Sequence, residues 1–116
     1  MPEAARIGTV IVLTCDVNAS RAFYAELLGL PVLSDEYGLV TLDAGVPLLL
    51  HPADTVEASR GGVNLQFTVS DVDGLCRQLG EAGLAVLTPP RDMDYGVREA
   101  EVLDPDGHAV FLAQPL

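Results

Sequence analysis

The sequence predicts an α+β chain built from two tandem β-α-β-β-β modules. Three observations carry this. The first is an internal repeat: Gly29-Leu30-Pro31-Val32-Leu33 matches Gly83-Leu84-Ala85-Val86-Leu87, and Asp16-Val17 matches Asp71-Val72. The second is strand-sized apolar segments that alternate with polar residues, as half-buried strands do. The third is a hairpin signal near the end, where Asp104-Pro105-Asp106-Gly107 separates Val97–Leu103 from His108–Ala113. Proline fixes φ at the first central position, and Asp-Gly tolerates positive φ where the chain reverses. A repeat near half the chain is too long and too few for a solenoid. Each half alone is too small to bury a core well. The expectation is one domain over residues 1–116: module one at about 7–51, a connection at 52–62 and module two at about 63–114.

The elements follow in order. Residues 7–14 are rich in β-branched side chains and read as a strand. A helix then starts, with Asn18 or Ser20 as its N-cap, and runs to about Leu28. Gly29 ends it. Pro31-Val32-Leu33 restarts a strand, Tyr37-Gly38 turns, and Leu39–Leu42 and Pro47–His51 are two more strands. Residues 52–62 have no sustained period and end in Gly-Gly, as a connection does. Val63–Val69 is a strand with Asn64, Gln66 and Thr68 on one face and Leu65, Phe67 and Val69 on the other. A second helix opens at Asp71-Val72-Asp73, with Val72, Leu75, Cys76, Leu79 and Ala82 as its apolar positions, and Gly83 ends it. Leu84–Leu87 is a strand, Pro89–Gly96 a loop, and the hairpin completes the half.

Composition narrows the function. The formal charge is −11. That argues against nucleic acid, which needs a basic face, and would steer a cationic ligand inward. The milder account of the acids is solubility. All basic side chains are Arg, so lysine Schiff-base chemistry and a P-loop lysine are excluded. No apolar run spans a bilayer, and Met1–Arg6 does not read as a signal peptide. Cys15 and Cys76 make neither a zinc pattern nor a disulfide framework. A cytoplasmic protein with reduced thiols is expected, and Cys15 reads as a buried, inert thiol.

The chain resembles the vicinal oxygen chelate superfamily, which contains glyoxalase I, extradiol dioxygenases, fosfomycin-resistance enzymes and bleomycin-resistance proteins. Phe23-Tyr24-Ala25-Glu26-Leu27-Leu28-Gly29-Leu30, Val69-Ser70-Asp71-Val72-Asp73, Gly96-Val97-Arg98 and Asp104-Pro105-Asp106-Gly107 carry the resemblance. It implies mixed sheets curled around a cleft, helices outside, and commonly a homodimer whose neighbouring module completes the cleft. It also implies, in the metal-dependent members, His, Gln or Glu ligands on the first and last strands of each module. Carried over one at a time, the first-strand positions fall on Thr9 and Asn64, and the last-strand position of module two on Phe111. The last-strand position of module one falls among Leu48–His51, with Leu49 the first choice and His51 the second. A divalent metal needs several converging N or O donors, and a phenyl ring is no ligand. No metal and no cofactor are therefore expected.

What remains is an apolar cleft with a few amides and hydroxyls, the usual make-up of a small-molecule site. Its candidate ligand-binding residues are Thr9, Ile11, His51, Asn64, Gln66, Tyr95, Arg98 and Phe111, with Leu13, Thr68 and Ala109 as further lining. Each has a plainer reading. The Asn64/Gln66/Thr68 face can meet solvent, His51 can simply end a strand, and Arg98 can pair with an acid. Met93 and Tyr95 can cover the cleft as a lid or only connect two strands. The leading expectation is a metal-free binding protein of the bleomycin-resistance type, homodimeric, holding a small, partly aromatic or cationic compound. The rivals are a lyase, isomerase or dioxygenase with an absent or relocated metal, using His51, Asn64 or Gln66 as catalytic groups, and an accessory domain with a lost cleft.

Overall fold

Two aspartates start the two helices, and the rest of each half is arranged around them. In a computed structural model, which describes residues 3–116, Asp16 accepts a hydrogen bond from the Ala19 N–H (3.1 Å) and Asp71 one from the Gly74 N–H (3.0 Å). Each side chain satisfies a donor that the first helical turn leaves open. The first helix is thus capped by Asp16, not by Asn18 or Ser20. Ser20 is otherwise engaged: its hydroxyl lies 2.6 Å from that of Thr14, and both residues are fully buried. Replacing Asp16 or Asp71 by Ala should cost about 1 kcal/mol each. Urea unfolding of the single variants checks this.

The architecture is α+β: two four-stranded mixed sheets, each with one helix on one face. The chain divides into two units, Met1–Val56 and Glu57–Leu116. Met1 and Pro2, part of the stretch read as lacking a leader, lie outside the described residues. The first unit has β1 (Val10–Thr14), α1 (Val17–Arg21, widening into a π-helical turn over Ala22–Leu27), β2 (Val32–Glu36), β3 (Leu39–Asp43) and β4 (Pro47–Pro52). Its strand order is β1-β4-β3-β2. The second has β5 (Leu65–Thr68), α2 (Val72–Glu81), β6 (Val86–Asp92), β7 (Val97–Leu103) and β8 (Ala109–Pro115), in the order β5-β8-β7-β6. In each, the first and last strands pair in parallel and the other pairs are antiparallel. The orders are equivalent strand for strand, so the repeat in sequence is a repeat in structure.

Alternation sets the faces. In the first unit Val12, Val40, Leu42, Leu48 and Leu50 are buried, and Phe23 and Tyr24 are buried with their rings edge to face at 4.7 Å. In the second, Val102, Val110 and Leu112 are buried, as are Val72, Cys76 and Leu79 of α2. Burial pushes the Cys76 thiol pKa up. Among the described residues, each unit's own helix packs on this buried face of its sheet.

Several boundaries differ from the sequence reading, for identifiable reasons. β1 begins at Val10, so Thr9 precedes it, and Cys15 follows its end and is exposed. β5 spans Leu65–Thr68 because Asn64 is drawn into a turn, its Oδ1 accepting the Gly61 N–H at 3.2 Å. β6 continues through Pro89-Pro90 to Asp92, which had been expected as loop. Proline cannot donate to a ladder, but β6 is an edge strand and its register shifts between Thr88 and Arg91, where prolines are tolerated. The second half of the connection packs on the hairpin: the Ala109 N–H donates to the Ser59 carbonyl and the Ser59 N–H to His108 Nδ1.

Candidate functional site

The hairpin turn sets the register on which the site depends. Asp104 is buried, and its Oδ1 accepts the N–H groups of Asp106 (3.0 Å) and His108 (2.9 Å). Gly107 supplies the positive φ of 86°. From this turn, Leu103 pairs with Ala109, Glu101 with Phe111 and Glu99 with Ala113. On the other side of β8, Gln66 pairs with Phe111 and Thr68 with Ala113. Directly opposed residues share a sheet face. Phe111 therefore stands on the face of the second sheet away from α2, between Gln66 and Glu101.

This face holds a trough of about 300 Å³. Phe111, Glu101 and Ala100 line it. Thr88 and Arg91 of β6 line one wall, paired with Glu101 and Glu99 respectively. Met93 and Tyr95, from the short connection to β7, close one end together with Glu99. The Tyr95 hydroxyl donates to Glu99 Oε2. That hydrogen bond to the Glu99 carboxylate, with partial desolvation and the nearby negative charge, holds the Tyr95 pKa above its ordinary value.

Of the residues expected from sequence, Thr9, Ile11 and His51 belong to the first unit and Asn64, Gln66, Tyr95, Arg98 and Phe111 to the second. In the first sheet Ile11 pairs with Leu49, and Leu49 with Thr41, while Leu48 and Leu50 are buried. The triplet Ile11–Leu49–Thr41 is the counterpart of Gln66–Phe111–Glu101. His51 lies on the same face as Leu49, exposed at the strand end, with Nδ1 2.9 Å from the Pro52 carbonyl. In the second unit, Tyr95 and Phe111 line the trough. Gln66 is exposed beside Phe111 on the same face, and Asn64 sits in its turn. Arg98 is turned to the helix side, where Nε and Nη2 bind the two oxygens of Asp73 (2.8 and 2.9 Å) and Nη1 binds Asp92 (3.1 Å).

The Arg98 guanidinium holds the Asp73 carboxyl below its ordinary pKa of 3.8. A lowered folded pKa stabilises the fold fully above that ordinary value, and the contribution is lost as pH falls through the folded value. Arg98→Ala should therefore be destabilised at pH 7, and the gap to the parent should narrow in acid. Urea midpoints of both proteins at pH 7 and pH 2 test this.

Glu99, Glu101, Thr88 and Arg91 were not among the expected residues. Counting outward from the Asp-Pro-Asp-Gly turn would have placed both glutamates on the Phe111 face.

The donor chemistry does not fit the family's metal. The positions that the resemblance assigns to the ligands carry Thr9, Asn64 and Phe111, with Leu49 or His51 as the fourth. Among the described residues, the group of His, Cys, Asp or Glu atoms close enough to share an ion is Asp104, Asp106 and His108. It lies in the hairpin turn, where the Asp104 carboxylate accepts two backbone N–H groups and His108 Nδ1 accepts a third.

A family model described as Glyoxalase/Bleomycin resistance protein/Dioxygenase superfamily matches residues 6–112. The chain belongs to this superfamily. Solved structures agree in fold. A protein of unknown function from Agrobacterium tumefaciens str. C58 is 26% identical, with a TM-score of 0.79 over 98% of this chain and 97% of that one. TnmS3, an antibiotic binding protein from Streptomyces sp. CB03234, is 28% identical, with a TM-score of 0.73 over 100% of both chains. The fosfomycin resistance protein FosX from Listeria monocytogenes is 16% identical, with a TM-score of 0.80 over 98% of this chain and 96% of that one, a likeness of fold alone. An uncharacterized protein of Mycobacterium tuberculosis (strain ATCC 25618 / H37Rv) is 35% identical over 79 residues, covering 66% of this chain and 46% of that protein. The chain spans about half the length of the curated relatives it matches. Among the described residues, no helix is long and apolar enough to cross a membrane.

Proposed function

We propose that this chain is a metal-free binding protein that holds a small, partly aromatic or cationic compound without changing it. The trough on the second sheet is the site. The observation that carries the reading is Phe111: its phenyl ring lines the trough opposite Glu101, at the position that the resemblance gives to a metal donor. A ring face beside a carboxylate suits a flat, positively charged molecule and offers a metal little. The likeness to an antibiotic-binding protein over the full chain supports the same reading. The working form is a cytoplasmic homodimer in which the partner copy completes the site, and neither nucleic acid nor membrane is a partner.

Calorimetric titration of purified protein with a panel of cationic aromatic antibiotics tests this. Saturable binding to at least one is expected, together with no stoichiometric metal in the protein as purified. Binding to none of them would count against the reading. A tightly held transition metal at about one per chain would favour the rival, an enzyme of the same superfamily.

A further inference from the structure

We infer that Glu101 alone selects the charge of the molecule in the trough, and that Glu99 is withdrawn from that role. The inference rests on the trough being a binding site. The two glutamates look equivalent in sequence, two residues apart on one face of β7. Their surroundings differ. Glu99 is opposed by Arg91 on β6 and receives the Tyr95 hydroxyl. The Tyr95 hydroxyl already answers its charge, while the Arg91 side chain lines the same trough as both glutamates. Glu101 is opposed by Thr88 on β6 and by Phe111 on β8, neither of them charged. Its carboxylate makes no hydrogen bond or ion pair with any described residue. It is half-buried, so less water screens it than a fully exposed acid.

A cationic group placed over the Phe111 ring would meet that carboxylate on the neighbouring strand. Ring face and carboxylate then attract the same charge from adjacent positions. The ligand class follows: an aromatic compound carrying an ammonium or a similar compact cation close to its ring. A neutral compound of the same shape would keep the ring contact and lose the charge contact.

The test uses two probes with one ring system, 1-naphthylmethylammonium and 1-naphthylmethanol. Both are titrated into the full chain and followed by amide chemical shifts. In the parent protein the ammonium should bind roughly ten-fold tighter than the alcohol. In Glu101→Gln the two should bind about equally, while Glu99→Gln should keep most of the preference. Glutamine has nearly the same shape, and unchanged amide spectra away from the trough would show that both variants fold. If both probes bind the parent equally, the trough remains a site and the role of Glu101 is overturned. The role is likewise overturned if the preference survives Glu101→Gln, or if Glu99→Gln is the variant that abolishes it. If neither probe moves the trough amides, the binding reading falls and takes this inference with it.

Discussion

Leu112→Ala should destabilise the protein by about 2–5 kcal/mol, the range for deleting a buried leucine that leaves a cavity. Leu112 is fully buried in β8, the strand that pairs with both β5 and β7. Its side chain lies on the face that α2 covers, and α2 packs on β6, β7 and β8 together. A hole there has rigid neighbours on several sides and cannot collapse easily. Leu50 is its counterpart in β4, equally buried and paired with Val12 as Leu112 is with Phe67. Leu50→Ala should therefore fall in the same range. Urea unfolding followed by circular dichroism measures both. A loss below about 1 kcal/mol for either would contradict the packing described here.

Phe111→Ala should act on binding, with a smaller effect on the fold. Phe111 is only partly buried, and its ring faces the trough, not the helix. Removing it takes away an aromatic contact and the apolar surface a ligand would cover. Together these are worth about 2 kcal/mol, or roughly a thirty-fold rise in Kd for an aromatic ligand. Phe111→Leu keeps an apolar side chain and should recover part of the loss. Calorimetry on the three proteins, with an antibiotic that binds the parent, gives the series. An unchanged Kd in Phe111→Ala would remove the trough from consideration.

Much of this was legible in the sequence because the repeat and the turn constrain each other. Two aspartate-started helices, each closed by a glycine, fixed the module period. The Asp-Pro-Asp-Gly turn fixed where β7 and β8 meet, and so which side chains share the face with Phe111. The cap of the first helix differs from the sequence reading because Asp16, Asn18 and Ser20 are all capping residue types. Only tertiary structure commits the Ser20 hydroxyl to Thr14. Pro89-Pro90 reads as loop because proline is excluded from strands, yet edge position removes that objection. Arg98 belongs to a strand whose alternate residues face a helix, so its role was set by Asp73, 25 positions away in sequence. Glu99 and Glu101 were passed over because charged residues in a strand ordinarily signal its solvated side. Here that side is also the face of the sheet that carries the trough.

The central claim is that the trough of the second sheet is a ligand site standing where the superfamily's metal would be. Amide chemical-shift mapping of the full chain, saturated with a cationic aromatic antibiotic, tests it most directly. Shifts concentrated at Thr88, Met93, Glu101 and Phe111 are predicted, with the pattern unchanged after treatment with a strong chelator. Shifts confined to other surfaces, or a pattern that chelator erases and added metal restores, would contradict it.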